Sequence, residues 1–282
     1  MFKFSKLLFL SSFLLVSYSY AEQIIVDATR FPNAEILEVA KPILAKQGYA
    51  LKINIYDSYN DPAIATPLTG RFGPKNPNSE LSNKKCDANF FQHVPYLDQY
   101  NQMFENNLVN VGSVFYVPFA VYLSKNKSEQ YSKTHDLAKV LSGARVAIPD
   151  SAINETRSIK LLSMNNILKF KQSNPAPGLD DVESNPYGVV IYKVDGNVIP
   201  QMLTNRDIDV AVMNAGNASM LGLKLDHATF VESGIATYAN ILVSRKDNAN
   251  SAKIKALKNA LQSPEVKQYM QHKYGNLLVP AF

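Results

Sequence analysis

Apolar and polar positions follow two periods along this chain. Residues 23–28 (QIIVDA) read as a strand, and Leu51, Ile53 and Ile55 alternate with polar neighbours as a half-buried strand does. Between them Ile36, Leu37, Ala40, Ile43 and Leu44 recur at helical spacing, which predicts a helix capped by Asn33 and kinked or shortened at Pro42. Further strands are expected at 145–149, 188–194, 208–213 and 240–244. Two late helices carry clear punctuation: Ser251 precedes Ile254, Leu257 and Leu261, and Ser263-Pro264-Glu265 opens a second run that Gly275 stops. Residues 62–83 and 172–187 are rich in Pro and Gly and read as loops. Alternation of this kind predicts an α/β fold with mainly parallel sheets.

The first 21 residues differ from the rest. Lys3 and Lys6 precede a short apolar run at 7–16, and small residues at Ser19 and Ala21 close the segment, the layout of a cleaved secretory signal. The run is about half the length that a spanning helix requires. No cysteine stands at the cleavage point, so a soluble periplasmic protein without a lipid anchor is expected. Of 282 residues, 29 are basic and 24 acidic; removal of the two signal lysines lowers the net charge from +5 to +3. The basic residues form no dense run with interleaved aromatics, which argues against a nucleic-acid partner. Cys86 is the only cysteine, which excludes an internal disulfide and a Cys-rich zinc site.

Catalytic and cofactor motifs are missing. The sequence holds no G-x-S-x-G, G-x-x-x-x-G-K-[ST], H-E-x-x-H or G-x-G-x-x-G, and its four histidines are isolated from one another. No metal or cofactor is expected, nor an acid–base pair or activated nucleophile for an enzyme. What stands out is polar residues in aromatic or small-residue settings. Residues 90–96 (FFQHVPY) set aromatics beside His93, and Asn154-Glu155-Thr156-Arg157 follows the strand at 145–149. A strand-to-helix turn is where α/β proteins receive ligands, and an arginine there can grip a carboxylate. Asn214 ends one predicted strand, and Tyr238-Ala239-Asn240 opens another.

Six ordered blocks across the chain outside the signal segment resemble the NlpA/MetQ family of methionine-binding proteins, the substrate-binding components of methionine ABC importers. They are AEILE at 34–38, DANFFQHVPYL at 87–97, VAIP at 146–149 followed by N-E-x-R at 154–157, ID-x-AV-x-N at 208–214, Y-x-NI at 238–241 and VPAF at 279–282. The resemblance implies a two-lobe periplasmic-binding-protein fold of type II-like form, with a hinge and a ligand cleft between the lobes. It places lobe I at 22–115 plus 236–282 and lobe II at 116–235, after a signal peptide at 1–21. The implied partners are L-methionine or a close analogue and an ABC permease of the inner membrane, for a chain acting as a monomer.

By the same resemblance Arg157 binds the ligand carboxylate with Asn154 nearby. Asn214 and Asn240 hydrogen-bond its carboxylate and ammonium groups, and Phe91, His93 and Tyr96 surround its side chain, with Tyr59 and Tyr238 as additions. A buried zwitterion needs every charge hydrogen-bonded, which an arginine and several asparagines achieve without a matching anion. The family's usual cysteine after the signal, its GPH triplet and a shorter loop at 62–83 are not found here. A diverged ligand (a methionine-containing dipeptide, D-methionine or another apolar amino acid) and a secreted interaction protein that keeps the fold are the alternatives.

Overall fold

The structure, a computed structural model, describes residues 21–56, 76–232 and 236–282. Nearly all of the signal segment, Tyr59 and residues 62–75 of the long loop lie outside the described residues.

The chain opens with β1 (Glu22–Thr29), α1 (Glu35–Ala45) and β2 (Tyr49–Tyr56). The two strands pair in parallel with Val26 opposite Ile53, and α1 buries Ile36, Leu37, Ala40 and Leu44 against them. The helix runs on through Pro42 without being cut short there. Asn33 is not its cap: it already lies inside the wide turn Arg30–Ala34 that leads into the helix. Its side chain instead accepts from Thr29 Oγ1 at 2.9 Å and donates to Asn240 Oδ1 at 3.3 Å.

Part of the expected loop at 62–83 is a helix, α2 (Pro77–Ser82). Asn76 caps it by accepting from the Asn78 N–H at 2.8 Å, and Pro77 suits a first turn because it has no N–H to satisfy. Next come β3 (Ala88–His93), α3 (Val94–Phe104) and β4 (Leu108–Tyr116). The chain then passes Pro118 into β5 (Phe119–Leu123), α4 (Lys125–Thr134), α5 (Leu137–Leu141), β6 (Arg145–Pro149) and α6 (Ala152–Met164). The second expected loop contains β8 (Val182–Ser184), which pairs with β7 (Lys169–Phe170) as a small hairpin. The remaining elements are β9 (Val190–Val194), α7 (Ile199–Asn205), β10 (Val210–Asn214), α8 (Ala215–Ser219), β11 (Phe230–Val231), β12 (Asn240–Arg245), α9 (Ala252–Leu261), α10 (Pro264–Tyr274) and β13 (Val279–Pro280).

Two sheets form two lobes. One has the order β13-β4-β12-β3-β1-β2, the other β11-β5-β10-β6-β9. Each carries apolar clusters on both faces, so helices cover both sides, as an α/β sheet requires. The sheets are mixed, not mainly parallel. β12 runs antiparallel to β3 and β4, and β5 antiparallel to β10 and β11. The reason is the passage of the chain between lobes. β3, β6 and β10 end at the cleft with His93, Pro149 and Asn214, whereas β5 and β12 arrive from the other lobe and start there with Phe119 and Asn240. An incoming strand therefore points opposite to its neighbours.

Candidate functional site

The cleft between the two sheets has a volume of about 620 Å³ and takes its walls from both lobes. Strand ends and helix starts build it, because both lobes direct them to the same side.

On the wall of the first sheet, His93 closes β3 and caps α3. Its Nδ1 accepts from the Tyr96 N–H at 3.3 Å, which leaves the proton on Nε2. Loss of solvation around the ring, aided by the positive Arg157, lowers its pKa to about 4, so the imidazole is neutral at physiological pH. Tyr96, in the first turn of α3, also lines the cleft. Its hydroxyl accepts from Asn76 Nδ2 at 2.9 Å, and its ring meets Phe91 edge-on with centroids 5.5 Å apart. Asn240, the first residue of β12, sits opposite His93 in the ladder and bonds to Asn33, so both asparagines face the cleft.

On the opposite wall, Asn154 and Arg157 occupy the first turns of α6, directly after the strand β6. Asn214 ends β10 and caps α8, its Oδ1 accepting from the Asn217 N–H at 2.8 Å. Arg157 is buried between two rings, its guanidinium carbon 4.1 Å from the centroid of Phe119 and 4.4 Å from that of Tyr238. It is also paired with the buried carboxylate of Glu232: Nε donates to Oε1 at 3.1 Å and Nη2 to Oε2. A matching anion is thus present, contrary to the expectation of an arginine among neutral amides only.

Of the expected residues, the structure brings His93, Tyr96, Asn154, Arg157, Asn214 and Asn240 together as cleft lining. Phe91 and Tyr238 are not in that lining. Phe91 is fully buried behind Tyr96; it is the residue skipped where the β3–β12 register shifts, between Phe90 opposite Leu242 and Gln92 opposite Ile241. Tyr238 stacks on Arg157 and touches the His93 ring edge-on at 5.8 Å. Tyr59 lies outside the described residues. Sequence reasoning missed Glu232, Phe119 and the site role of Asn33. Asn33 carried a local signal, as a polar residue in the turn after a strand. Glu232 carried none, since its partner is 75 residues away. Among the described residues no group of three or more His, Cys, Asp or Glu is placed to hold a metal ion. The lone Cys86 is buried, and burial with the adjacent Asp27 carboxylate raises its thiol pKa, which suits a packing role.

The model of NlpA lipoproteins matches residues 73–282. The methionine-binding lipoprotein MetQ of Bacillus subtilis (strain 168) is 31% identical over 266 residues, covering 92% of this chain and 88% of that protein. The D-methionine-binding lipoprotein MetQ of Escherichia coli (strain K12) is 33% identical over 234 residues, covering 82% and 78%. A nutrient binding protein from Burkholderia cenocepacia, solved bound to methionine, superposes with a TM-score of 0.73 at 28% identity, covering 92% of this chain and all of that one.

Proposed function

The chain belongs to the NlpA lipoprotein family, and from that premise we propose that it captures methionine or a close analogue as the substrate-binding component of an ABC importer. Family membership also corrects one expectation. The family and both MetQ relatives are lipoproteins, so the unanchored periplasmic protein expected from the missing cysteine does not stand.

The observation that carries the ligand reading is the lining of the cleft. One wall offers Arg157, Asn154 and Asn214, the other His93, Tyr96 and Asn240. In this reading the Arg157 guanidinium and the asparagine amides hold the carboxylate and ammonium of an amino acid, and His93 and Tyr96 flank its side chain. A thioether is polarisable and pairs well with ring edges. Phe91 stiffens Tyr96 from behind, and Tyr238 covers one face of Arg157. The lobes are assigned as 22–115 plus 236–282 and 116–235, supported by the strands that each sheet collects, with 1–21 as an export signal.

Calorimetric titration of ligand-free protein with L-methionine tests the reading. Heat of binding and a raised melting temperature are expected; the absence of both would remove methionine as the ligand. Arg157→Ala should lose well over tenfold in affinity, about 1.4 kcal/mol or more. Mass spectrometry of ligand that co-purifies separates methionine from a dipeptide, and chiral chromatography separates L- from D-methionine.

A further inference from the structure

A guanidinium has five N–H donors, and those of Arg157 are unevenly committed. Nε donates to Glu232 Oε1 at 3.1 Å, and Nη2 donates to Glu232 Oε2 and to the Val117 carbonyl at 3.1 Å. The edge of the fork that could have taken a ligand carboxylate in two parallel bonds is therefore occupied. Both flat faces are covered by Phe119 and Tyr238. Nη1 makes no hydrogen bond among the described residues, and Arg157 lines the cleft.

Glu232 is in turn held by backbone at the point where the chain enters the second lobe. Its Oε2 accepts from the Phe119 N–H at 3.1 Å, and its own N–H donates to the Phe119 carbonyl at 2.8 Å. With side chains only 6% and 3% exposed, the two buried charges are paired with each other and not with solvent.

We infer that Glu232 is the positioning residue of the carboxylate subsite: it locks the Arg157 fork, neutralises it while the cleft is empty, and leaves Nη1 to grip the ligand. This rests on the methionine reading for the identity of the ligand. The subsite then selects a carboxylate by aimed N–H groups and not by net charge. An empty cleft also holds no unpaired buried cation.

The test is titration calorimetry on Glu232→Gln and Glu232→Asp, with L-methionine and L-methioninamide as probes. It is run at a temperature where circular dichroism shows each ligand-free variant folded. Glu232→Gln should lose at least tenfold in methionine affinity and change less than threefold toward methioninamide, which lacks the carboxylate. Glu232→Asp keeps the charge and should recover most of the loss. Methionine affinity of Glu232→Gln within threefold of the unsubstituted chain overturns the inference. So does an equal loss for both probes, which marks a merely structural role. If methioninamide is too weak to read, rescue decides, and no recovery by Glu232→Asp overturns it. An unsubstituted chain that binds no methionine is a distinct result; it overturns the ligand reading and this inference with it.

Discussion

At the scale of single residues, His93 ties the chemistry of the cleft to pH. Its pKa falls from the ordinary 6.5 to about 4, first through lost solvation and then through Arg157. The folded state therefore holds this ring neutral, and a proton favours the unfolded chain. The stability it confers is present in full above pH 6.5 and is lost as pH falls toward 4, at about 1.4 kcal/mol per pH unit. Urea unfolding of the ligand-free chain and of His93→Gln, compared across pH 4 to 7, should show this slope in the first and its loss in the second. Parallel curves would show that the ring is solvated. Since His93 takes up no proton between pH 5.5 and 8, methionine affinity should be flat over that range. Tyr96 fixes the ring further by donating its N–H to Nδ1, so the same tautomer faces the cleft throughout.

At the scale of elements, α2 shows how polar bonds fasten a short helix that its apolar content could not. Of its six residues only Leu81 is a large buried hydrophobe. Asn78 instead joins a buried polar set on β3: its Nδ2 donates to Gln92 Oε1 at 2.9 Å, and its Oδ1 accepts from Asn89 Nδ2 at 2.8 Å. Asn76, the cap of the same helix, bonds the Tyr96 hydroxyl and so reaches the cleft wall. Asn78→Ala leaves Gln92 Oε1 without its donor, while Asn89 Nδ2 keeps the Pro77 carbonyl and Gln92 Nε2 keeps Asn89 Oδ1, and should cost about 1–3 kcal/mol in denaturant unfolding, the cost of one buried unpaired group. A loss under about 0.5 kcal/mol would show that water replaces the amide without penalty. The same helix explains what was legible in the sequence. β1, β6, α9 and α10 carry their own periodicity and caps, such as Ser263 accepting from the Val266 N–H at 3.2 Å, and pattern finds them. α2, β8 and β11 exist because of partners elsewhere in the chain, so six, three and two residues show no period. The reversed directions of β5 and β12 were hidden for the same reason, since pairing partners such as Asn240 and His93 lie far apart in sequence. The cleft residues within recognisable blocks were legible; Glu232 was not.

At the scale of the molecule, the two passages between lobes meet beside the ligand set. The first is at Val117 and Phe119, which bond to Arg157 and Glu232; the second brings Tyr238 between Arg157 and His93. The two crossings and the carboxylate subsite proposed above thus share the side chains of Phe119 and Tyr238, which stack on Arg157. In the function proposed above, an amino acid satisfies its charged groups fully only when the Asn154, Arg157 and Asn214 wall approaches the His93, Tyr96 and Asn240 wall. On that proposal only a closed form makes both sets of contacts, and the ligand is expected to shift the population toward it. Small-angle scattering should show a smaller radius of gyration on adding saturating L-methionine. Asn240→Ala removes a contact from the first wall and leaves the Arg157 subsite intact. It should bind more weakly and need more methionine to reach the same contraction. Two wild-type curves that superpose with and without methionine would overturn closure as the response to ligand. An undiminished response in Asn240→Ala would show that the first wall contributes through its rings alone.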